Sequence, residues 1–204
     1  MLDAATAEFA AVGLAGARVD RIADAAGVNK SQLYYYFKSK DGLFDAVMGS
    51  SLKALLDAVP LDGEDLPGYA VHLYDYYVER PELLRLATWT RLERVPKGDL
   101  FVDFEGHDIH KLQAIANAQR GGWVDPTLAP PEAFSLVVAM AMTWSPVNVT
   151  FAASRGDDES EHARRRSVIA EVVSRALVRS GHGDEHGAAA DSDSAGAETN
   201  AGRG

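Results

Sequence analysis

Gly16-Ala-Arg-Val-Asp-Arg-Ile-Ala-Asp-Ala-Ala-Gly27-Val-Asn-Lys-Ser-Gln-Leu-Tyr34-Tyr-Tyr-Phe37-Lys-Ser-Lys40-Asp-Gly-Leu-Phe44 is the stretch that decides how this chain folds. Val19, Ile22, Ala23 and Ala26 fall at helical spacing and predict a short amphipathic helix over about 19–26. Gly27 stands where that helix must end and the chain reverse, in the left-handed conformation glycine adopts most easily. Val28 drops an apolar side chain into the angle, and Asn29 is a good N-cap for a second short helix over about 30–36. On that helix Leu33 and Phe37 face inward, with Tyr34, Tyr35 and Tyr36 between and beside them. This is the layout of a helix-turn-helix, whose second helix lies in the major groove of DNA.

The stretch also resembles the DNA-binding domain of the TetR family of transcriptional regulators. That family's pattern runs close to Val-x-x-Ile-Ala-x-x-Ala-Gly-Val-Ser-Lys-Gly-Thr-Leu-Tyr-x-Tyr-Phe-x-Ser-Lys-x-x-Leu. Here Val19, Ile22, Ala23, Ala26, Gly27, Val28, Lys30, Leu33, Tyr34, Tyr36, Phe37, Ser39, Lys40 and Leu43 match in register. Ala4, Ala5, Phe9 and Gly13 are similar to the end of the family's first helix. Ala17 and Arg18 depart from the Ser or Thr that many members carry before the valine, and Ser31-Gln32 replaces the more usual Gly-Thr. The resemblance implies a ligand-responsive repressor that binds a palindromic operator as a homodimer and is released by a small-molecule effector. It implies DNA contacts from Arg18, Lys30, Ser31, Gln32, Tyr34, Tyr35, Tyr36 and Lys40, with Tyr35 the base reader. Chemistry supports the tyrosines as contacts to base edges, thymine methyls or phosphates, although one ring packing beneath the helix as core is the plainer alternative. Lys40, opening a helix, adds its charge to the free amides there.

Net charge is −10 and cysteine is absent, which argues against a general nucleic-acid coat and removes disulfides and thiolate chemistry. Charge in the first 50 residues is nearly balanced, yet Lys30, Lys38 and Lys40 face no acid between Gly27 and Lys40. DNA affinity is therefore expected from few phosphate contacts per subunit. No run approaches the ~18 apolar residues of a membrane span and no signal peptide is visible, so the expectation is a cytoplasmic protein without membrane contact.

The rest of the chain reads as helices, giving an all-α fold. A first helix is predicted over about 3–12 and a long fourth over about 40–58, followed by a break at Pro60, Gly63 and Pro67. Further helices are expected over about 67–79, 81–95, 100–119 (capped by Asp99), 132–153 and 159–179. Residues 1–45 form the helix-turn-helix domain, 46–180 a helical effector-binding and dimerisation domain, and 181–204 an acidic tail too poor in large apolar residues to order. The segment Ala133 to Trp144 is apolar nearly all round, predicting a helix buried on nearly every side, by the subunit's own core or by a second subunit, and Pro146 kinks or interrupts it.

In the larger domain Tyr77, Trp89, Phe101, Phe104, Trp123, Met140 and Trp144 are candidates to line an effector cavity, a role the resemblance implies and which ordinary core packing would equally explain. Val138, Met142, Ile169, Val172, Val173 and Ala176 are candidates for a dimer interface or for plain core. Asp103, His107 and His110 share one helical face, as metal ligands or an exposed polar face would; neither a metal nor a cofactor is expected. A small helical enzyme is the rival from another class, without a nucleophile–base arrangement or phosphate loop to support it. A helical ligand- or partner-binding protein lacking DNA recognition is the other.

Overall fold

A computed structural model of the chain describes residues 1–100 and 107–179. Among these it contains α1 (Leu2–Gly16), α2 (Val19–Ala26), α3 (Lys30–Phe37), α4 (Lys40–Ala58), α5 (Leu66–Glu79), α6 (Pro81–Glu93), α7 (His107–Gly121), α8 (Pro130–Ala141) and α9 (Glu159–Leu177). Among the described residues no helix is long and apolar enough to cross a membrane. The proposed tail and residues Phe101, Asp103 and Phe104 lie outside the described residues, as does the side chain of His107. No group of three or more metal-ligating side chains occurs among the described residues.

Two apolar cores result. In the first, Phe9, Ile22, Leu33, Leu43, Phe44 and Val47 are buried together, with Phe9 and Phe44 edge to face at 5.1 Å. The second gathers Leu66, Leu73, Tyr74, Ile115, Val137, Ile169 and Val173. α4 serves both, through Leu43 to Met48 in one and Leu55 in the other. So does α6, whose Leu86 is fully buried in the first core while Leu83 and Leu84 belong to the second.

α1 runs past its expected end because it breaks and resumes at Gly13, which has φ 73° and ψ −180°. The break separates a backbone pair that a continuous helix would join, the Leu14 N–H and the Ala10 carbonyl. α6 satisfies both. Glu93 accepts from Leu14 N at 2.8 Å, and Ala10 O accepts from Arg85 Nε at 3.0 Å and Trp89 Nε1 at 3.3 Å. α1 and α6 are thus joined by hydrogen bonds to backbone groups that the glycine sets free.

α8 is shorter than the span 132–153, interrupted ahead of Pro146 as that proline implies. It ends at Ala141, and a turn carries the chain to Pro146, since proline disfavours helix in the residue before it and donates no hydrogen bond. Within one subunit Ala133, Val137 and Ala141 face the core, while Leu136 is 43% exposed and Ala139 is open to solvent, the side left for a second subunit to cover. A buried polar group tethers the segment between α8 and α9. Arg165, 3% exposed, donates to Asp157 at 2.7 Å, and Tyr74 Oη and His162 Nδ1 lie 2.7 Å apart.

Candidate nucleic-acid interface and effector cavity

The turn between α2 and α3 follows from its residues. Gly27 takes φ 65° and ψ 30°, so the chain reverses without a β-carbon penalty. Asn29 Oδ1 then accepts from Gln32 N at 2.8 Å, and Gln32 Oε1 accepts from Asn29 N at 3.1 Å, a reciprocal capping box. Gln32 therefore already spends its carbonyl on the helix start and keeps only its amide N–H groups for a duplex. The Asn-x-x-Gln spacing was the signal for this. Leu33 alone of α3 is buried, locking the helix to the first core.

All three tyrosines point outward, so none packs beneath the helix: Tyr34 is 40%, Tyr35 72% and Tyr36 60% exposed. With only eight residues, α3 buries Leu33, leaves Phe37 half-buried and has no further inward position for a large ring. Tyr35 and Tyr36 stack edge to face at 5.2 Å. Ser31 and Arg18 are exposed, Arg18 standing at the N-cap of α2 with its backbone N–H bonded to Glu8.

The lysines are arranged otherwise than their spacing implied. Asp20 on α2 lies 2.9 Å from the Lys30 ammonium, and this pairing holds the Asp20 carboxyl below its usual value. Lys40 turns away from the N-terminus of its own helix. Its ammonium donates to Ala17 O at 3.2 Å and Ala15 O at 3.4 Å, neutralising the carbonyl end of α1. The start of α4 is capped by Ser39, whose Oγ accepts from Gly42 N at 2.9 Å. Lys38 remains beside the tyrosines, donating to Tyr35 O at 2.8 Å.

In the larger domain a cavity of about 800 Å³ opens between α4, α5, α6, α7 and α8. Leu83, Leu84, Phe134, Val138 and Met142 give it an apolar lining, and Tyr77, Thr88 and Arg91 contribute polar groups. Burial pushes the Tyr77 phenol well above its ordinary pKa, so the hydroxyl is a neutral donor at any physiological pH. Arg91 is held by Val95 O at 3.0 Å and Gly98 O at 2.9 Å.

Of the residues expected here from sequence, Tyr77 lines the cavity and the other described ones do not. Trp89 lies in the α1–α6 seam. Trp123 is half-buried against the core where Arg179 N donates to its carbonyl at 3.1 Å. Trp144 packs edge to face on Tyr74 and lines a smaller hollow of about 440 Å³. Met140 lies half-buried outside the cavity. Val138 and Met142, candidates for a dimer interface or for plain core, line the cavity, one turn apart on the side of α8 and its C-cap that follows Phe134. On α9 the helical register divides the remaining candidates. Ile169 and Val173 are inside the core, whereas Val172 (45% exposed) and Ala176 continue the outward row begun by Val168.

Comparison with known proteins places this geometry. Residues 1–47 match the family described as bacterial regulatory proteins, tetR family, and residues 65–175 match the tetracyclin repressor-like C-terminal domain. The chain is 36% identical over 151 residues to the transcriptional repressor SCO4008 of Streptomyces coelicolor, covering 72% of this chain and 77% of that one. It is 32% identical over 152 residues to the transcriptional regulator RutR of Escherichia coli K12, covering 71% of this chain and 69% of that one. A crystal structure of SCO4942 from Streptomyces coelicolor, described as a transcriptional regulator, superposes with a TM-score of 0.73 at 39% identity, covering 86% of this chain and 95% of that chain. A capped helix bearing exposed tyrosines, mounted on a helical domain with an apolar cavity and matched along both parts, has one reading: the chain belongs to the TetR family of DNA-binding, ligand-responsive transcriptional regulators.

Proposed function

We propose that this regulator is a cytoplasmic repressor that binds a palindromic operator as a homodimer and leaves it when a small, largely apolar effector fills the cavity. The observation that carries the reading is the exposure of Tyr34, Tyr35 and Tyr36 on a helix fixed at its start by the Asn29–Gln32 box and from below by Leu33. Rings held outward at the cost of apolar exposure suit a surface that meets base edges and methyl groups. Repression is taken from the similarity to SCO4008, which is named a repressor.

Dimerisation is supported by an outward apolar face on adjacent helices: Leu136 on α8 with Val168, Val172 and Ala176 on α9. Two copies joined there present two α3 helices, which must lie about 34–36 Å apart to enter successive major grooves. An effector changes that spacing only through different affinity for the two arrangements. α4 and α6 are the route, since each contributes to the cavity wall and to the core of the DNA-binding domain. The reading assigns the chain no catalytic role, and neither rival, enzyme or DNA-free binding protein, is favoured by any residue arrangement described above.

Tyr35→Ala tests the reading. It removes the most exposed ring of α3 and leaves Leu33 and both caps in place. Operator affinity by fluorescence anisotropy should fall by about 1–3 kcal/mol per subunit, with unchanged mass by light scattering. Unchanged affinity would remove α3 as the reading helix.

A further inference from the structure

Lys38 occupies a backbone conformation that no other non-glycine residue among the described residues shares, φ 66° and ψ −43°. Ser39 N donates to Phe37 O at 2.7 Å across it. A bond between residues two apart around such a central residue is the γ-turn of the rare, strained hand. Glycine would enter this conformation without a β-carbon clash, so the position favours glycine on backbone grounds alone. Strain held at one place in a surface that recognises a ligand directs attention to the side chain that requires it.

That side chain has a defined task. The Lys38 ammonium donates to Tyr35 O at 2.8 Å and lies 5.3 Å from the centroid of the Tyr35 ring. It therefore grips Tyr35 by its carbonyl at the end of α3 and by its ring face. Tyr35 in turn meets Tyr36 edge to face, so the attitude of one ring sets the other. The other two lysines of the stretch are committed elsewhere, Lys30 to Asp20 and Lys40 to the end of α1. Arg21 is likewise paired, with Glu8 at 2.7 Å.

From this geometry we infer that Lys38 is a positioning residue for DNA reading, holding the Tyr35 ring in its base-reading attitude by way of a strained turn that glycine would relax. The inference rests on the proposal that α3 reads DNA. It makes Lys38 act through Tyr35 and not as one more charge near the phosphates. A charge near phosphates lowers affinity in proportion to its own contact whatever the state of the ring. A positioning residue has nothing to position once the ring is gone.

The test uses the full chain and a duplex selected by the unaltered protein from a random-sequence library. Anisotropy titrations compare the unaltered protein, Lys38→Gly, Lys38→Arg, Tyr35→Ala and the Lys38→Gly/Tyr35→Ala double variant. Lys38→Gly should weaken binding about tenfold, the weight of one base contact. Its melting temperature should not fall, because the turn is relieved as the side chain's bond is lost. Lys38→Arg, which keeps a cation above the ring, should bind nearly as the unaltered protein does. In the Tyr35→Ala background the same Lys38→Gly change should alter affinity by less than about twofold. Equal losses in both backgrounds, with a salt slope reduced by about one, would show a plain phosphate contact and overturn the inference. So would full affinity in Lys38→Gly, and a lowered melting temperature would overturn the strain argument on which it stands. If Tyr35→Ala itself binds normally, it is the DNA-reading proposal that fails; if only Lys38→Gly does, the failure is confined to Lys38.

Discussion

Gly13→Ala strikes the seam between α1 and α6. At φ 73° and ψ −180° the backbone lies in a region open essentially to glycine, and a β-carbon there costs about 1–3 kcal/mol. The added atom would also stand 2.6 Å from Glu93 Oε1 and 2.8 Å from the Trp89 ring. Contacts that short force Glu93 or the indole aside. Moving Glu93 strips the Leu14 N–H of its acceptor, and an unsatisfied buried N–H costs about 1–3 kcal/mol. If α1 instead straightens and Leu14 N returns to Ala10 O, Arg85 and Trp89 lose the carbonyl they now share. The two costs overlap, because a single shift relieves part of both, so a net loss of about 3 kcal/mol is expected, or roughly 6–12 °C in melting temperature for a chain of this size. Gly27→Ala is the control. That glycine is also left-handed, at φ 65°, but nothing lies within 4 Å of its missing β-carbon, so only the backbone cost of about 1–2 kcal/mol applies. Circular dichroism melts of both variants decide the matter. Equal shifts would mean that the α1–α6 seam does not feel the added methyl group, and the reasoning from the Glu93 and Trp89 contacts would be wrong.

Val172→Arg places a charge in the middle of the outward apolar row of α9, and the expected outcome is loss of the dimer in light scattering with helical content unchanged; a persistent dimer would move the interface elsewhere. Met142→Trp fills part of the 800 Å³ cavity from the end of α8, where Met142 is the C-cap. It should weaken effector binding at least tenfold, by about 1.4 kcal/mol or more, while operator affinity in the absence of effector stays within about threefold, read by calorimetry and anisotropy. The Arg165 guanidinium beside Asp157, with the Ser154 N–H, holds the Asp157 carboxyl below its usual value of 3.8. A carboxyl held lower in the folded state contributes stability that is complete above its ordinary value and lost as pH falls through the folded one. Stability should thus decline below about pH 4, and Asp157→Asn should lower it at neutral pH and flatten that acid limb; an unchanged limb would dismiss the pair as its source.

Short-range chemistry was legible in the sequence. The apolar spacing of Val19, Ile22 and Ala23, the glycine at 27 and the asparagine at 29 each dictate a local conformation, and α2 and α3 begin and end where those residues require. The length and register of α4, α5 and α9 follow from the same periodicity. Periodicity failed where a breaker acts within an apolar run. Gly13 let α1 break and continue, and α8 stopped at Ala141, short of the Pro146 where an interruption was expected.

The helices, the helix-turn-helix and the resemblance that rests on it could therefore be read from the chain alone, because caps, turns and amphipathic spacing are decided within a few residues of the chain. Packing in three dimensions settled which partner each side chain meets. Lys30 and Lys40 are committed to Asp20 and the end of α1 by the angle at which α2, α3 and α4 pack. Val138 and Met142 line a cavity while Leu136, one step around the same helix, faces outward. An apolar stripe states that a face is to be covered, but core, ligand and second subunit present the same hydrophobic demand, and the three-dimensional position of the neighbouring helices alone tells them apart.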